Sequence, residues 1–232
     1  RDYQSLEEAI DRLMTDVTDA LRAINPEVLI EFRQTYVGPA IRKYGNMLRV
    51  GDCANDALFN RAEIPSLKLT SGNHAVHSDM LMWNYEDKVE SAALEFVSVL
   101  YAVPQISMKI AKLRDDHKQM LKFYLSFWRE NRDTLMNGKI LAANPESACS
   151  LVCAEKDGCA IFTAYTDTVI DCSAYDEIIA VNSTRHGSLI LKGADGKKYK
   201  VLDCMGNILE EGTVSGALCE IKVSLAGMVC VK

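Results

Sequence analysis

Residues 47–53 read Met47-Leu48-Arg49-Val50-Gly51-Asp52-Cys53, a short apolar run that stops on a glycine and a carboxylate. The same pattern stands upstream, where Val28-Leu29-Ile30-Glu31-Phe32 gives way to Arg33, Gln34 and Tyr36 before the turn at Gly38-Pro39. It is expected again downstream, where Leu67-Lys68-Leu69 runs into Ser71-Gly72-Asn73-His74. Short apolar runs bounded by turn residues read as buried strands. Helical stretches lie around them. Ser5 and Glu8 form a capping-box pattern, Leu6, Ile10, Leu13, Val17, Leu21 and Ile24 recur at helical spacing, and Asn25-Pro26 closes the helix. Two more helices are expected over about 86–102 and 107–136, separated by Pro104. Strands followed by helices imply parallel β/α units, and in such sheets polar residues just past the strand ends build the site. Met80-Leu81-Met82-Trp83, Phe123, Tyr124, Phe127 and Trp128 read as core.

From Lys139 onward the pattern changes. Short runs such as Ala160-Ile161-Phe162, Thr168-Val169-Ile170 and Leu189-Ile190-Leu191 alternate with turn signals at Asp157-Gly158, Asp195-Gly196 and Gly206-Asn207. This predicts a small antiparallel β-sandwich of about six to eight strands. The expected organisation is therefore α/β plus all-β, with residues 1–138 carrying three β/α units and residues 139–232 the sandwich. Three units cannot close a barrel, which takes eight and about 250 residues.

Composition bounds the partners. A chain of 232 residues with 48% hydrophobic residues has enough material for a core, and a net charge of −6 argues against nucleic acid, whose phosphates need a basic surface. No apolar run reaches the length of a membrane-spanning helix. The start of the chain carries no basic-apolar-small leader pattern, and a cytoplasmic location is expected. Seven of the eight cysteines lie beyond residue 138 among β-type residues, which suits small reduced core residues. Cys149, Cys153 and Cys159 lack zinc-site spacing.

Four constellations could carry chemistry. Arg49, Asp52 and Asp56, with Asn55 and Arg61 nearby, offer a strand-end carboxylate that could exchange protons at a polar substrate, or a salt-bridged loop. Glu31, Arg33, Gln34 and Tyr36 could meet sugar hydroxyls, or cap a strand end. His74, His77 and Asp79 could ligate a metal only if helical; Gly72 and Asn73 suggest a loop, so hydrogen bonding is expected and neither metal nor cofactor is. Cys53 beside that loop could be a nucleophile, and its alkylation would then inactivate the protein.

Glu31-Phe32-Arg33-Gln34-x-Tyr36-x-Gly38-Pro39, Gly45-Asn46-Met47-x-Arg49-x-Gly51-Asp52-Cys53-x-x-Asp56, Asn60-Arg61 and Val76-His77-Ser78-Asp79-Met80-x-x-Trp83 together resemble the C-terminal part of a glycoside hydrolase family 36, alpha-galactosidase-like enzyme. The resemblance implies the end of a (β/α)8 TIM barrel, its strands six, seven and eight, followed by a C-terminal sandwich. It implies that Asp52, with Gly51 replacing the family's Ser, is the general acid/base at the end of strand seven. Asp56 matches the second Asp of that motif with one extra residue between them. Arg33, Gln34, Tyr36, Arg49 and Asp56 become candidate substrate-binding residues. The catalytic nucleophile, an Asp at the end of strand four, has no counterpart here and is expected upstream. Glu31-Phe32-Arg33-Gln34 stands where better-known members carry a Cys- and Gly-rich strand-six motif. The implied substrate is an oligosaccharide or glycoside with a terminal alpha-galactoside. The chain alone is expected to be inactive and, with an open barrel edge, prone to self-association as a homo-oligomer. The alternative is a non-catalytic carbohydrate-binding or assembly module.

Overall fold

The computed structural model describes residues 3–33, 38–52, 56–72 and 74–232. Its first half builds a four-stranded parallel sheet in the order β1-β2-β3-β4. Helix α1 (Leu6–Ile24) precedes β1 (Glu31–Arg33), and β2 (Met47–Arg49) leads to α2 (Ala57–Ser71). Then come β3 (Ala75–Leu81), α3 (Val89–Ser98), β4 (Val103–Ile106), α4 (Asp115–Glu130) and α5 (Arg132–Asn137). The start of α1 follows from its cap: Ser5 Oγ accepts from Glu8 N at 3.1 Å, and Glu8 Oε2 accepts from Gln4 N at 2.9 Å. Its apolar stripe is exposed, with Leu6 at 71% and Ile24 at 85%.

Three expectations are corrected. Leu67-Lys68-Leu69 is not a strand. It lies in α2, where Asn60, Ile64, Leu67 and Ser71 face inward at helical spacing after Asp56 caps the helix. The third strand is instead Ala75–Leu81, so His77 and Asp79 belong to a buried strand rather than a loop. A fourth parallel strand, containing Pro104, fills the break expected between the two long helices. Among the described strands β4 pairs on one side only, with β3, and Pro104 removes no ladder bond on its other side there. Of the Met80–Trp83 run, Leu81 and Trp83 are buried, whereas Met80 and Met82 alternate outward.

The second half is strand-rich: β5 (Lys139–Ala143), β6 (Leu151–Lys156), β7 (Cys159–Ala164), β8 (Val169–Asp171), β9 (Glu177–Asn182), β10 (Ser188–Lys192), β11 (Lys198–Leu202), β12 (Ile208–Thr213), β13 (Leu218–Lys222) and β14 (Met228–Val231). They form a seven-stranded sheet, β12-β11-β14-β9-β7-β6-β5, and a three-stranded one, β13-β10-β8. Pairing is mostly antiparallel, but β7/β9 and β8/β10 run parallel, which a purely antiparallel expectation missed. The β6–β7 hairpin turns on Asp157-Gly158 with φ of 50° and 80°, the positive pair that a type I′ turn requires.

One face of the seven-stranded sheet packs on the three-stranded sheet through Phe162, Ile178, Leu191, Ile221 and Val229. Its other face, with Val152, Ile161, Val181 and Met228, joins Phe96, Leu100, Met120 and Tyr124 in one apolar cluster. That cluster runs across Lys139, and Tyr101 crosses with it: its fully buried hydroxyl lies 2.9 Å from Val152 O, 3.1 Å from Ile161 O and 3.0 Å from Thr163 Oγ1. Of the described cysteines, Cys149, Cys153, Cys172 and Cys204 are buried and Cys159, Cys219 and Cys230 half-buried, all as free thiols. No helix among the described residues is long and apolar enough to cross a membrane.

Candidate active site

The register of the parallel sheet aligns Arg33, Arg49 and His77 across three strands. Side chains alternate along a strand, so Glu31 and Arg33, Arg49, and His77 and Asp79 share one face. Phe32, Leu48 and Val76 occupy the opposite face and join the apolar cluster that the helices cover. The polar face is thus a consequence of strand parity: each strand buries one set of residues outward under helices and turns the charged set the other way.

On that face Arg49 is the hub. Its side chain is 9% exposed, and Nη1 lies 3.2 Å from Oδ1 of Asp79, itself 4% exposed. Its Nη2 donates to Oδ1 of Asp52, which sits three residues beyond β2 and is 72% exposed. Arg33 Nη2 reaches the same Asp52 oxygen at 2.6 Å. Asp52 therefore stands at the carboxyl end of the sheet beside two guanidiniums, one of them ion-paired from below with a buried carboxylate. Beneath lies a second pair, His77 Nε2 and Glu31 Oε2 at 2.8 Å, spanning from β3 to β1. His77 Nδ1 lies 2.8 Å from Ser78 O, which fixes the ring. Ser78 Oγ accepts from Gln105 N at 3.1 Å and ties the layer to β4.

The sequence candidates divide accordingly. Arg33, Arg49 and Asp52 are brought together. Asp56 serves as the N-cap of α2, its carboxylate accepting from Phe59 N at 2.8 Å. Arg61 turns to the strand-rich half, bonding Ala148 O at 2.8 Å and lying over the Tyr165 ring at 4.8 Å. Gln34, Tyr36, Cys53 and Asn55 lie outside the described residues. His74 leaves the layer: its ring nitrogens lie 3.0 Å from Ser71 O and 3.1 Å from Arg42 O. Among the described residues no group of three His, Cys, Asp or Glu is arranged to hold a metal. The roles of Glu31, His77 and Asp79 were missed as a layer, although their odd-numbered positions on adjacent strands carry the signal once β3 is placed. Glu95 on α3 was missed altogether. Burial and the nearby Asp56 and Asp87 push its carboxyl up to about 7, and its Oε2 has no hydrogen-bond partner among the described residues.

No protein-family model matches the sequence, and no curated protein matches it. Solved structures do. The alpha-galactosidase AgaA of glycoside hydrolase family 36 from Geobacillus stearothermophilus aligns over 94% of this chain, at a TM-score of 0.53 and 17% identity. AgaB from the same organism aligns over 94%, at 0.52 and 15%. The galactosidase domain of the alpha-galactosidase–sucrose kinase AgaSK aligns over 94%, at 0.50 and 12%. The fold is shared with family 36 alpha-galactosidases. The chain spans about 30% of the length of the AgaA and AgaB structures. At these identities the likeness carries the arrangement of strands and helices, while the polar face above is this chain's own chemistry.

Proposed function

We propose that this chain is the C-terminal part of a retaining, alpha-galactosidase-like glycoside hydrolase, and that Asp52 is its general acid/base. The observation that carries the reading is the placement of Asp52: an exposed carboxylate at the carboxyl end of a parallel strand, on the face that converges Arg33 and Arg49. The shared fold supports it, as does the exposed apolar stripe of α1, which is shaped to pack on a preceding β/α unit. In this reading residues 1–138 end a (β/α)8 barrel, and β4 is its last strand because the chain then leaves for the strand-rich region. Counting back from eight, the four parallel strands are five to eight. Asp52 then follows strand six rather than seven, because β3 and β4 replace the single strand expected at Leu67–Leu69.

In the intact enzyme Asp52 donates its proton to the glycosidic oxygen as the bond to the anomeric carbon breaks. A carboxylate supplied upstream attacks that carbon from the opposite face and forms a glycosyl-enzyme intermediate. Asp52, now ionised, takes a proton from water, which releases the sugar with retained configuration. Arg49, anchored by Asp79, fixes the position of Asp52 through this cycle, and Arg33 supplies a second donor at the mouth. Arg33, Gln34, Tyr36, Arg49 and Asp56 are the residues proposed to meet the oligosaccharide.

Complementation tests the reading. This chain alone should not hydrolyse an aryl alpha-galactoside, and adding the upstream segment of the same protein should restore turnover with retained anomeric configuration by NMR. Turnover by the isolated chain, or inversion in the reconstituted protein, would refute it. Sugar binding without turnover in the reconstituted protein would favour a carbohydrate-binding module.

A further inference from the structure

At the opposite end of the parallel sheet from Asp52 lies a cleft of about 810 Å³. The end of α2, the starts of β3 and β4, and α4, α5 and β5 enclose it. Most of its lining is packed within this chain: β3 is paired on both sides and α2 packs on β3 and β5, while β4, at the edge of the sheet, contributes Val103 alone. Lys68, His74, Arg132 and Lys139 line it, and among the described residues no Asp or Glu does. In a chain of net charge −6 this is a local reversal of sign.

Lys68 is the most telling of the four. Its Nζ donates to Leu135 O at 2.5 Å and Met136 O at 3.3 Å, both neutral carbonyls at the end of α5. Its half-buried charge is met by partial dipoles, and desolvation lowers its pKa to about 8. An anion in the cleft would supply the missing countercharge. Arg132 is exposed at the rim, and Lys139, 70% exposed, has one carboxylate partner, Glu155 at 3.3 Å. Leu69, Trp128 and Met136 give the same cleft an apolar wall. The volume far exceeds that of a free inorganic ion, so the chemistry fits an anionic head joined to a compact organic body.

We propose that this cleft binds a small organic phosphate, with Lys68, Arg132 and Lys139 on the phosphate and the apolar wall on the organic part. The proposal is independent of the glycosidase reading, since no residue of the Asp52 layer takes part.

Calorimetry on the 232-residue chain tests it, with glucose 6-phosphate, ADP and pyrophosphate as probes and glucose and adenosine as uncharged controls, at physiological salt. One phosphorylated organic probe should bind one-to-one and the controls should not. Which of the two organic probes binds distinguishes a sugar phosphate from a nucleotide. Binding near pH 8 should take up protons, seen as a heat that varies with the ionisation enthalpy of the buffer, because the phosphate favours the charged form of Lys68. Arg132→Ala, at an exposed position, should weaken binding about tenfold or more while leaving the circular dichroism spectrum unchanged. Lys68→Met should do the same and abolish the proton uptake; if it fails to fold, Arg132→Ala and Lys139→Ala still decide. Absence of binding by every phosphorylated probe at about 1 mM, equal binding of pyrophosphate and the organic probes, or unchanged affinity in Arg132→Ala and Lys139→Ala would overturn the proposal.

Discussion

Two carboxylates share the Arg49 guanidinium, and the structure predicts that removing them has very different consequences. Asp79 and Arg49 are 4% and 9% exposed and 3.2 Å apart. Deleting one partner of a buried pair leaves the other charge uncompensated, at about 3–5 kcal/mol. Asn at position 79 keeps the shape and Arg49 keeps Asp52, so the lower end, about 3 kcal/mol, is expected. Asp52 is 72% exposed, and exposed ion pairs contribute about 0.2–1 kcal/mol, so Asp52→Asn should cost about 1 kcal/mol or less. The gap of about 2 kcal/mol is about a thirtyfold difference in the unfolding equilibrium constant. Urea unfolding read by tryptophan fluorescence suits the comparison, because Trp83 and Trp128 are both buried in the β/α half. Equal losses for the two variants, or an Asp79→Asn loss below about 0.5 kcal/mol, would refute the claim that Asp79 anchors the layer and Asp52 does not.

Three further outcomes are expected. Tyr101→Phe should cost about 1–3 kcal/mol in urea unfolding, because the fully buried hydroxyl faces two carbonyls and Thr163, and both halves should still unfold in one transition. Glu95 is held well above its ordinary 4.5, at about 7, so the folded state favours its protonated form. The stability it contributes is complete below about 4.5 and is lost as pH rises through about 7, so Glu95→Gln should raise Tm at pH 8 and give no gain at pH 4; a gain independent of pH would contradict this. Burial pushes the Cys153 and Cys204 thiols up to about 12 and those of Cys172 and Cys230 up to about 11, so mass spectrometry after iodoacetamide at pH 8 should find these four unmodified in the native protein and modified in urea.

The strand-rich region was legible in the change of pattern near Lys139, and β2 in its abrupt polar ending, whereas the first strand is not the buried Val28–Phe32 run but Glu31–Arg33, with Leu29 71% exposed before it. Leu67–Leu69 was misread because three apolar residues fit a strand or one helical face equally well; the cap at Asp56 and the inward positions Asn60, Ile64, Leu67 and Ser71 decide for helix. The true third strand, Ala75–Leu81, was hidden by its polar residues. It buries His77, Ser78 and Asp79, residue types that read as loop, and their burial is sustainable only because Glu31, Gln105 and Arg49 on neighbouring strands meet them. Strand β4 was hidden by Pro104, which reads as a break between helices unless the strand is known to lie at an edge. Asp52, Arg49 and Arg33 were legible as strand-end residues. The capping role of Asp56 was not read from the sequence, because the same residue type serves strand ends and helix caps equally.

The most direct test of the central claim is leaving-group dependence in the full-length protein. Asp52→Ala should be compared with wild type on a natural alpha-galactoside, whose leaving oxygen needs a proton, and on a dinitrophenyl alpha-galactoside, whose leaving group does not. If Asp52 is the general acid/base, glycosylation by the natural substrate falls by about 10²–10⁴-fold while that by the activated one is largely spared. Equal loss on both substrates, or no loss on either, would contradict the assignment.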